Sequence, residues 1–239
     1  MMYANRPIKW RNELKFICTK DMRTILKHRI SSVLQLDRHA GETDGSYRVS
    51  SLYFDDWQNS CCHDNDLGIG SRSKYRIRMY NKNYEFLRLE QKLKSNGKCA
   101  KRSCRITIKQ YKQLCRGDVS SFIQKETHPV LKSFALKIQL NGFTPKIIVD
   151  YKRVAFVDYA GNVRVTFDDQ CGFIPVTDLF LIDKGPRIPF QENGLSIMEL
   201  KFDEFVPDYI RQILQLNLLR QTTFSKYYIS RLSAQNHSI

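Results

Sequence analysis

The sequence predicts an α+β fold in which an antiparallel β-barrel, forming a tunnel, carries helices packed against its outside. Three observations support this prediction. Eight segments rich in β-branched and aromatic residues follow one another along the chain, helical segments separate several of them, and charged and apolar residues alternate along six of the strands. Because successive side chains of a strand point to opposite faces, each of those strands has one apolar and one charged face.

The chain length fits one domain. The sequence has 239 residues and contains no low-complexity linker, no repeat of fixed period and no sharp change of composition. We therefore expect a single domain over residues 1–239, with a core between about residues 9 and 232. Hydrophobic residues make up 42% of the chain, which is enough to bury a substantial core.

Each predicted element follows from its local composition. The predicted strands are Lys9–Cys18, Tyr47–Phe54, Ser73–Tyr80, Tyr84–Lys94, Cys99–Ile108, Ile147–Val157, Asn162–Asp168 and Leu195–Phe202. The predicted helices are Lys20–Leu36, Lys109–Cys115, Val119–Leu140, Pro207–Leu218 and Ser225–Ser233. Between two strong strands, Asn81-Lys82-Asn83 is expected to form a hairpin turn, because Asn tolerates the left-handed backbone that such turns need.

The charged faces of the strands are mostly cationic. On the third predicted strand, for example, Lys74, Arg76 and Arg78 lie opposite Tyr75 and Ile77. A solvated face ordinarily mixes neutral polar residues with both signs of charge, so repetition on six strands argues against simple solvent exposure. The other charged positions on these faces are Arg11, Glu13, Lys15, Arg88, Glu90, Lys92, Lys94, Arg153, Arg164, Asp168, Glu199 and Lys201.

A barrel whose apolar face binds the helices must point this cationic face inward. Unpaired buried charge costs free energy, so water or a polyanion has to fill such an interior. Guanidinium groups bind phosphate oxygens in a bidentate manner and lysines add point charges. A chain of phosphates is therefore the expected occupant, and the sparse carboxylates are expected to hold a divalent cation against it.

The overall charge agrees with a polyanionic ligand. Lys and Arg number 39 against 24 Asp and Glu, for a formal net charge of +15. No apolar run is long enough to span a bilayer, and the first ten residues lack the apolar centre of a signal peptide. Seven cysteines without a CxxC pair indicate reduced thiols and a cytoplasmic location.

Other known motifs are absent or incomplete. Gly68-Ile69-Gly70 lacks the third glycine and the strand-to-helix context of a dinucleotide site, and no Walker A sequence is present. Cys62-His63-Asp64 lacks the spacing of a zinc site. Tyrosines beside basic residues could form a stacking platform for single-stranded RNA. Tyr75, however, lies on the apolar face of its strand, so we expect no nucleic acid as ligand.

Eight short segments resemble the successive motifs of one known family. They are Glu13–Phe16, Ser51–Asp55, Arg76–Tyr80, Leu89–Lys92, Tyr151–Phe156, Arg164–Asp168, Met198–Lys201 and Phe224–Tyr227. In this order they resemble the VTC polyphosphate polymerase domain of the triphosphate tunnel metalloenzyme superfamily. The resemblance runs from about Lys9 to Leu232, nearly the whole chain.

The resemblance implies a function and a set of site residues. It implies a metal-dependent phosphotransferase, in which Mn²⁺ (or Mg²⁺) orients ATP and the γ-phosphate passes to a growing polyphosphate chain. The implied catalytic residues are Lys15, Arg76, Arg78, Lys92, Arg153 and Arg164. The implied substrate-binding residues are Lys101, Lys226 and Lys201, and the implied metal ligands are Glu199 and Glu90.

Several alternatives stay open. Glu90 either ligates the metal or pairs with Arg78 across the hairpin, and Lys98, Arg102 or Arg105 competes for the place of Lys101. The family often has a second Lys three residues before the position of Lys226, where this sequence has Thr223.

The alternative functions are hydrolysis of inorganic or nucleoside triphosphate and non-catalytic binding of polyphosphate or inositol polyphosphates. A membrane-protein partner that recruits the domain to the inner membrane face also stays open.

Overall fold

Eight long strands and seven helices make up most of the described chain. In the computed structural model, the described residues are 8–41, 44–125, 128–159, 161–182 and 185–236. The strands are β1 (Asn12–Thr19), β2 (Gln35–Leu36), β3 (Ser46–Asp55), β4 (Arg72–Tyr80), β5 (Leu87–Ser95), β6 (Lys98–Ile106), β7 (Thr144–Asp158), β8 (Val163–Ile174), β9 (Ile188–Pro189), β10 (Leu195–Phe202) and β11 (Arg220–Gln221). The helices are α1 (Lys20–Ser31), α2 (Ser60–Asp66), α3 (Ile108–Arg116), α4 (Ser120–Gln124), α5 (Pro129–Asn141), α6 (Asp208–Leu214) and α7 (Lys226–Asn236).

The long strands form one antiparallel sheet in the order β1-β10-β8-β7-β3-β4-β5-β6, with the short strands at its margins. Between β6 and β1, the described residues form no continuous ladder. A single bridge joins the two ends instead, in which Arg11 and Cys99 exchange two backbone hydrogen bonds of 2.8 Å. The sheet therefore curls into a tunnel, and its fold class is the predicted one.

Two apolar clusters fix the helices to the outer face of the sheet. In one, α5 packs on β4, β5 and β6, where the Phe134 ring stacks on Tyr75 with centroids 4.7 Å apart. In the other, Ile30 of α1 and Ile210 of α6 pack with Met198 of β10, and all three are fully buried. Burial of each such side chain contributes about 1.5–3 kcal/mol, so the apolar face of each strand is held outward, toward the helices.

Three predicted helices are shorter than expected. The helix predicted over Pro207–Leu218 ends at Leu214, because Gln215 has a left-handed backbone. The helix predicted over Lys20–Leu36 ends at Ser31, because Gln35–Leu36 pairs with β7 as a strand and tertiary pairing overrides helix propensity. The helix predicted over Val119–Leu140 is two helices, α4 and α5. Pro129 starts α5 at its first turn, where the missing N–H of proline costs nothing.

Two further differences concern elements that are longer or new. The strand predicted to end at Asp168 continues as β8 to Ile174, where it pairs with the long strand β7. Helix α2 was not predicted, because its polar sequence has no helical apolar period and only Cys61 is buried.

The predicted turn at Asn81-Lys82-Asn83 is confirmed. Asn81 and Lys82 have positive φ values of 47° and 58°, and the Asn83 N–H donates to the Tyr80 carbonyl at 2.9 Å. Among the described residues, none of the helices combines the length and the apolar character needed to cross a bilayer.

Candidate functional site

The tunnel encloses a cavity of about 440 Å³ with a strongly basic lining. Among the described residues, the lining includes fourteen Lys and Arg side chains but two carboxylates, Glu13 and Glu199. The basic lining residues are Lys9, Arg11, Lys15, Arg72, Lys74, Arg76, Arg78, Lys92, Lys94, Lys101, Arg153, Arg164, Lys201 and Lys226. An excess of fixed positive charge in a space of this size favours a polyanion as ligand.

One wall of the cavity presents two guanidinium groups. Arg76 and Arg78 lie two residues apart on β4 and point to the same face. Glu90 of β5 lies behind them, with its carboxylate 2.7 Å from Arg76 Nη2 and 3.6 Å from Arg78 Nη1. Lys101 Nζ reaches the other Glu90 oxygen at 2.8 Å. The carboxylate holds the three cations in place without entering the cavity.

Hydroxyl groups also accept hydrogen bonds from these arginines. Arg76 donates to the Tyr53 hydroxyl at 2.8 Å, and Arg78 donates to Ser51 at 3.0 Å and Tyr151 at 3.1 Å. Burial opposes ionisation of Tyr53, but the charges of Arg76 and Arg78 outweigh it and lower its pKa to about 8. The guanidinium planes are therefore fixed before any ligand binds.

A second cationic group of the lining comes from β7 and α7. Arg153 of β7 forms a bidentate ion pair with Asp168 of β8, at 2.6 and 2.7 Å. Lys226, the first residue of α7, lies 2.6 Å from Asp168 and 3.3 Å from Glu199. Burial lowers the pKa of Lys226, but Asp168 and Glu199 more than compensate and hold it well above its ordinary value. Lys226 is therefore a permanent cation.

Strand β1 contributes a mixed-charge group. Lys15 lies directly opposite Glu199 on β10, and Glu13 lies opposite Lys201. Lys92 reaches Glu13 from β5 at 3.0 Å, across the gap that the single bridge spans. Burial would raise the pKa of Glu13, but the neighbouring lysines hold it far below its ordinary value.

Arg164 stands apart from these groups. It donates to the Tyr47 hydroxyl at 3.0 Å and forms an ion pair of 2.8 Å with Asp37. Its side chain is about one-third exposed, whereas those of Arg78 and Arg153 are nearly buried. Arg164 is thus a more accessible cation of the lining.

The structure brings ten of the eleven predicted site residues to the cavity. They are Lys15, Arg76, Arg78, Lys92, Lys101, Arg153, Arg164, Glu199, Lys201 and Lys226. Glu90 is the exception, since it is fully buried behind the lining with three cations around it. This placement matches the ion-pair alternative, so we correct the assignment of Glu90 from metal ligand to counter-ion. The roles of the other ten toward a substrate stay predictions.

Sequence reasoning assigned no role to several residues of the site. Lys74 shared the charged face of its predicted strand, yet it was not selected, although it lines the cavity and donates to Asn65 at 2.9 Å. Asp168 was on the charged face as well, but its pairing with Arg153 follows from strand register that the sequence does not reveal. Tyr53 and Tyr151 lie in segments that resemble the family's motifs, but nothing in the sequence marked their hydroxyl groups as partners of the arginines.

The comparisons with known proteins agree with this geometry. A family model described as the VTC domain matches residues 10–234. The chain belongs to the VTC domain family. The resemblance to the VTC domain is therefore confirmed at the level of the family. A comparison with curated proteins gives no significant match.

Two solved structures share the fold of this VTC domain. A putative adenylyl cyclase of Hippeastrum, HpAC1, described as having a dominant triphosphatase activity, is 12% identical with a TM-score of 0.54, and the match covers 94% of this chain and 96% of the other. A putative adenylate cyclase of Bacillus halodurans is 14% identical with a TM-score of 0.51, over 91% and 95% of the two chains. At such low identity these matches show the tunnel fold alone.

The titration of two lysines in the VTC domain predicts a pH dependence of anion binding. Burial lowers the pKa of Lys15 and of Lys74 from 10.5 to about 8. A bound phosphate favours the charged form and raises both pKa values, so binding takes up protons above pH 8. We expect the affinity for tripolyphosphate to be constant below about pH 8 and to fall above it, by up to about tenfold per pH unit for each lysine.

Isothermal titration calorimetry between pH 7 and 10 measures this dependence. The matched variant is Lys15→Arg combined with Lys74→Arg, because guanidinium groups stay charged over the whole range. Its affinity should fall less steeply with pH than that of the wild type. The same steep fall in both proteins would show that these lysines do not control binding.

Proposed function

We propose that this VTC domain is a metal-dependent polyphosphate polymerase that transfers the γ-phosphate of ATP to a growing polyphosphate chain. The observation that carries the proposal is the cavity lining, in which, among the described residues, fourteen Lys and Arg side chains surround a space with two carboxylates. Phosphoryl transfer needs positioning and charge neutralisation more than a protein nucleophile, and fixed cations supply both.

The two cationic groups of the lining have distinct tasks in this mechanism. Arg76 and Arg78 orient successive phosphates, because both guanidinium groups are held rigidly on one strand. Arg153 and Lys226 neutralise charge from β7 and from the start of α7. An oxygen of the terminal phosphate of the chain attacks the γ-phosphorus of ATP. The bond between the γ-phosphorus and the oxygen that bridges the β- and γ-phosphates breaks, and ADP leaves with the electron pair.

The donor set fits a divalent cation, manganese or magnesium. Mg²⁺ in phosphate-transfer sites is held by one or two carboxylates, waters and the substrate phosphates, so no cluster of three acidic residues is needed. Glu199 would hold the ion. Thr166 lies directly opposite Glu199 in the sheet. Its buried hydroxyl has no hydrogen-bond partner among the described residues, which leaves an oxygen for this purpose. The cation would neutralise charge on the phosphates.

The second candidate is a tunnel triphosphatase, in which water replaces the chain as the attacking group. The dominant triphosphatase activity described for the structurally similar HpAC1 favours it. Thr223 also bears on the choice, since it lines the cavity three residues before Lys226 where the family often has a Lys. Without a cation at this position, one end of a long polyphosphate chain is bound more weakly. The third candidate is a polyphosphate-binding module without turnover.

Incubation with ATP and Mn²⁺ distinguishes these candidates. A polymerase yields ADP and a polymer that resists phosphatase but is digested by exopolyphosphatase, which a gel detects. Free orthophosphate without polymer would identify a triphosphatase. The absence of both products, with tripolyphosphate still bound, would identify a binding module. The matched control is the same reaction with the chelator EDTA, which should stop turnover.

A further inference from the structure

Three arginines stand in one row across neighbouring strands. Arg78 of β4 lies directly opposite Arg88 of β5, which lies directly opposite Arg105 of β6. Residues paired in this way share a face of the sheet, so all three belong to the face that lines the tunnel. Like charges placed directly opposite each other are destabilising. This row therefore costs free energy in the protein without ligand.

The two outer arginines lie beyond the cavity. On β5 and β6 the cavity lining ends at Lys92 and Lys101, whereas Arg88 and Arg105 lie four residues further along their strands. At the rise of a strand this is about 13 Å. Arg78 alone among the three lines the cavity. The row thus crosses the sheet from Arg78 in the cavity lining to Arg88 and Arg105 on β5 and β6, near the β4–β5 turn.

Arg88 and Arg105 also lack the counter-ions that the inner cations have. Within the part of the chain that the structure describes, the buried Nε of Arg88 has no hydrogen-bond partner. Arg105 donates to the backbone carbonyl of Glu85 at 3.0 Å. Among the described residues, no carboxylate forms an ion pair with either side chain. Arg78, in contrast, has Glu90 at 3.6 Å.

One aromatic ring supports both guanidinium groups. The Cζ atom of Arg88 lies 5.5 Å from the centroid of the Phe86 ring, and that of Arg105 lies 5.4 Å from it. Cation–π contacts at such distances hold the side chains without neutralising their charge. The hydrogen-bonding capacity of the two groups stays available for an anion.

We propose that Arg88 and Arg105, supported by Phe86, form an outer phosphate subsite that binds a linear polyphosphate chain where it leaves the cavity. The inference rests on the proposed function, since it extends the same phosphate path beyond Arg78. A phosphodiester-like group of the chain presents two oxygens, which suit paired guanidinium groups. Arg88 and Arg105 lie about 13 Å along their strands from Lys92 and Lys101 in the cavity lining. A chain held at these lysines must therefore be longer than a triphosphate to reach the subsite.

The double variant Arg88→Gln with Arg105→Gln tests the subsite by binding at fixed ionic strength. The two probes are tripolyphosphate and a long linear polyphosphate of defined length. We expect an unchanged Kd for tripolyphosphate and an increase of about tenfold or more for the long chain. The matched control is Arg102→Gln with Arg116→Gln, which removes the same charge from exposed positions away from the cavity.

Each other outcome overturns the subsite. An equal increase in Kd for tripolyphosphate and for the long chain would place the two arginines in the inner site. The same Kd values in the double variant and in the control variant would show that only the loss of positive charge matters. The melting temperature without ligand should be unchanged or higher, because repulsion with Arg78 is relieved, and a marked fall would indicate a structural role. If the wild type binds neither probe, the proposed function and the subsite both fail. If it binds both and the variant matches the control, the subsite alone fails.

Discussion

Glu199→Gln is expected to lower metal-dependent turnover of ATP by on the order of 100-fold or more, while binding of tripolyphosphate persists. Glu199 is one of two carboxylates in the described lining, and Lys15, Arg153, Lys201 and Lys226 lie 3.3–3.8 Å from it. Burial would raise its pKa, but these cations hold it well below the ordinary value, so the carboxylate is ionised. Removal of its charge takes away the metal ligand and leaves the cations that hold phosphate.

Two measurements separate this role from a structural one. The melting temperature without ligand should fall, because buried cations lose a partner, and tripolyphosphate should restore it by supplying negative charge. Turnover at saturating ATP and Mn²⁺ is then compared with that of Glu204→Gln, an exposed position that serves as control. Wild-type turnover in Glu199→Gln would remove Glu199 from the site, and a loss of binding equal to the loss of turnover would make it a binding residue.

Arg78→Ala is expected to weaken tripolyphosphate binding by about 1.5–3 kcal/mol, the scale of a charge-assisted hydrogen bond. The protein without ligand should keep a melting temperature close to that of the wild type. Of the three cations around Glu90, Arg78 is the most distant at 3.6 Å, while Arg76 and Lys101 lie at 2.7 and 2.8 Å. The buried carboxylate therefore stays paired when Arg78 is removed.

Thermal shift shows this effect directly, because a ligand that binds the folded state alone raises its stability. The wild type should gain several degrees with tripolyphosphate, and Arg78→Ala should gain much less. Arg102→Ala is the matched control, since it removes an arginine from the opposite face of a tunnel strand. An equal shift in Arg78→Ala and the wild type would place the anion elsewhere.

The tunnel and most of its cationic residues could be predicted because strand alternation is a local property. Arg76 and Arg78 needed no knowledge of their neighbours, since the period of two and the apolar residues between them fix their face. The predicted helices also determine the direction of the charged face. They pack against the apolar face of the sheet, so the charged face must point into the interior. Local patterns therefore determined the charge of the cavity.

The counter-ions could not be predicted in this way, because they depend on register between strands. Asp168 meets Arg153 through the pairing of β7 with β8, which shifts register between Asp150 and Lys152. Glu90 lies behind Arg76 instead of inside the cavity, and no local pattern distinguishes these two positions. A carboxylate inside the cavity can hold a metal ion, whereas one behind the arginines serves as their counter-ion.

The location of a bound phosphate chain is the measurement that tests the central claim most directly. A crystal structure of the VTC domain with tripolyphosphate should show phosphates inside the tunnel, in contact with Arg76 and Arg78 and with Arg153 and Lys226. Oxygens of the chain should lie within about 2.7–3.2 Å of guanidinium and ammonium nitrogens. Tripolyphosphate bound on the outer surface, with the tunnel filled by water alone, would contradict the account.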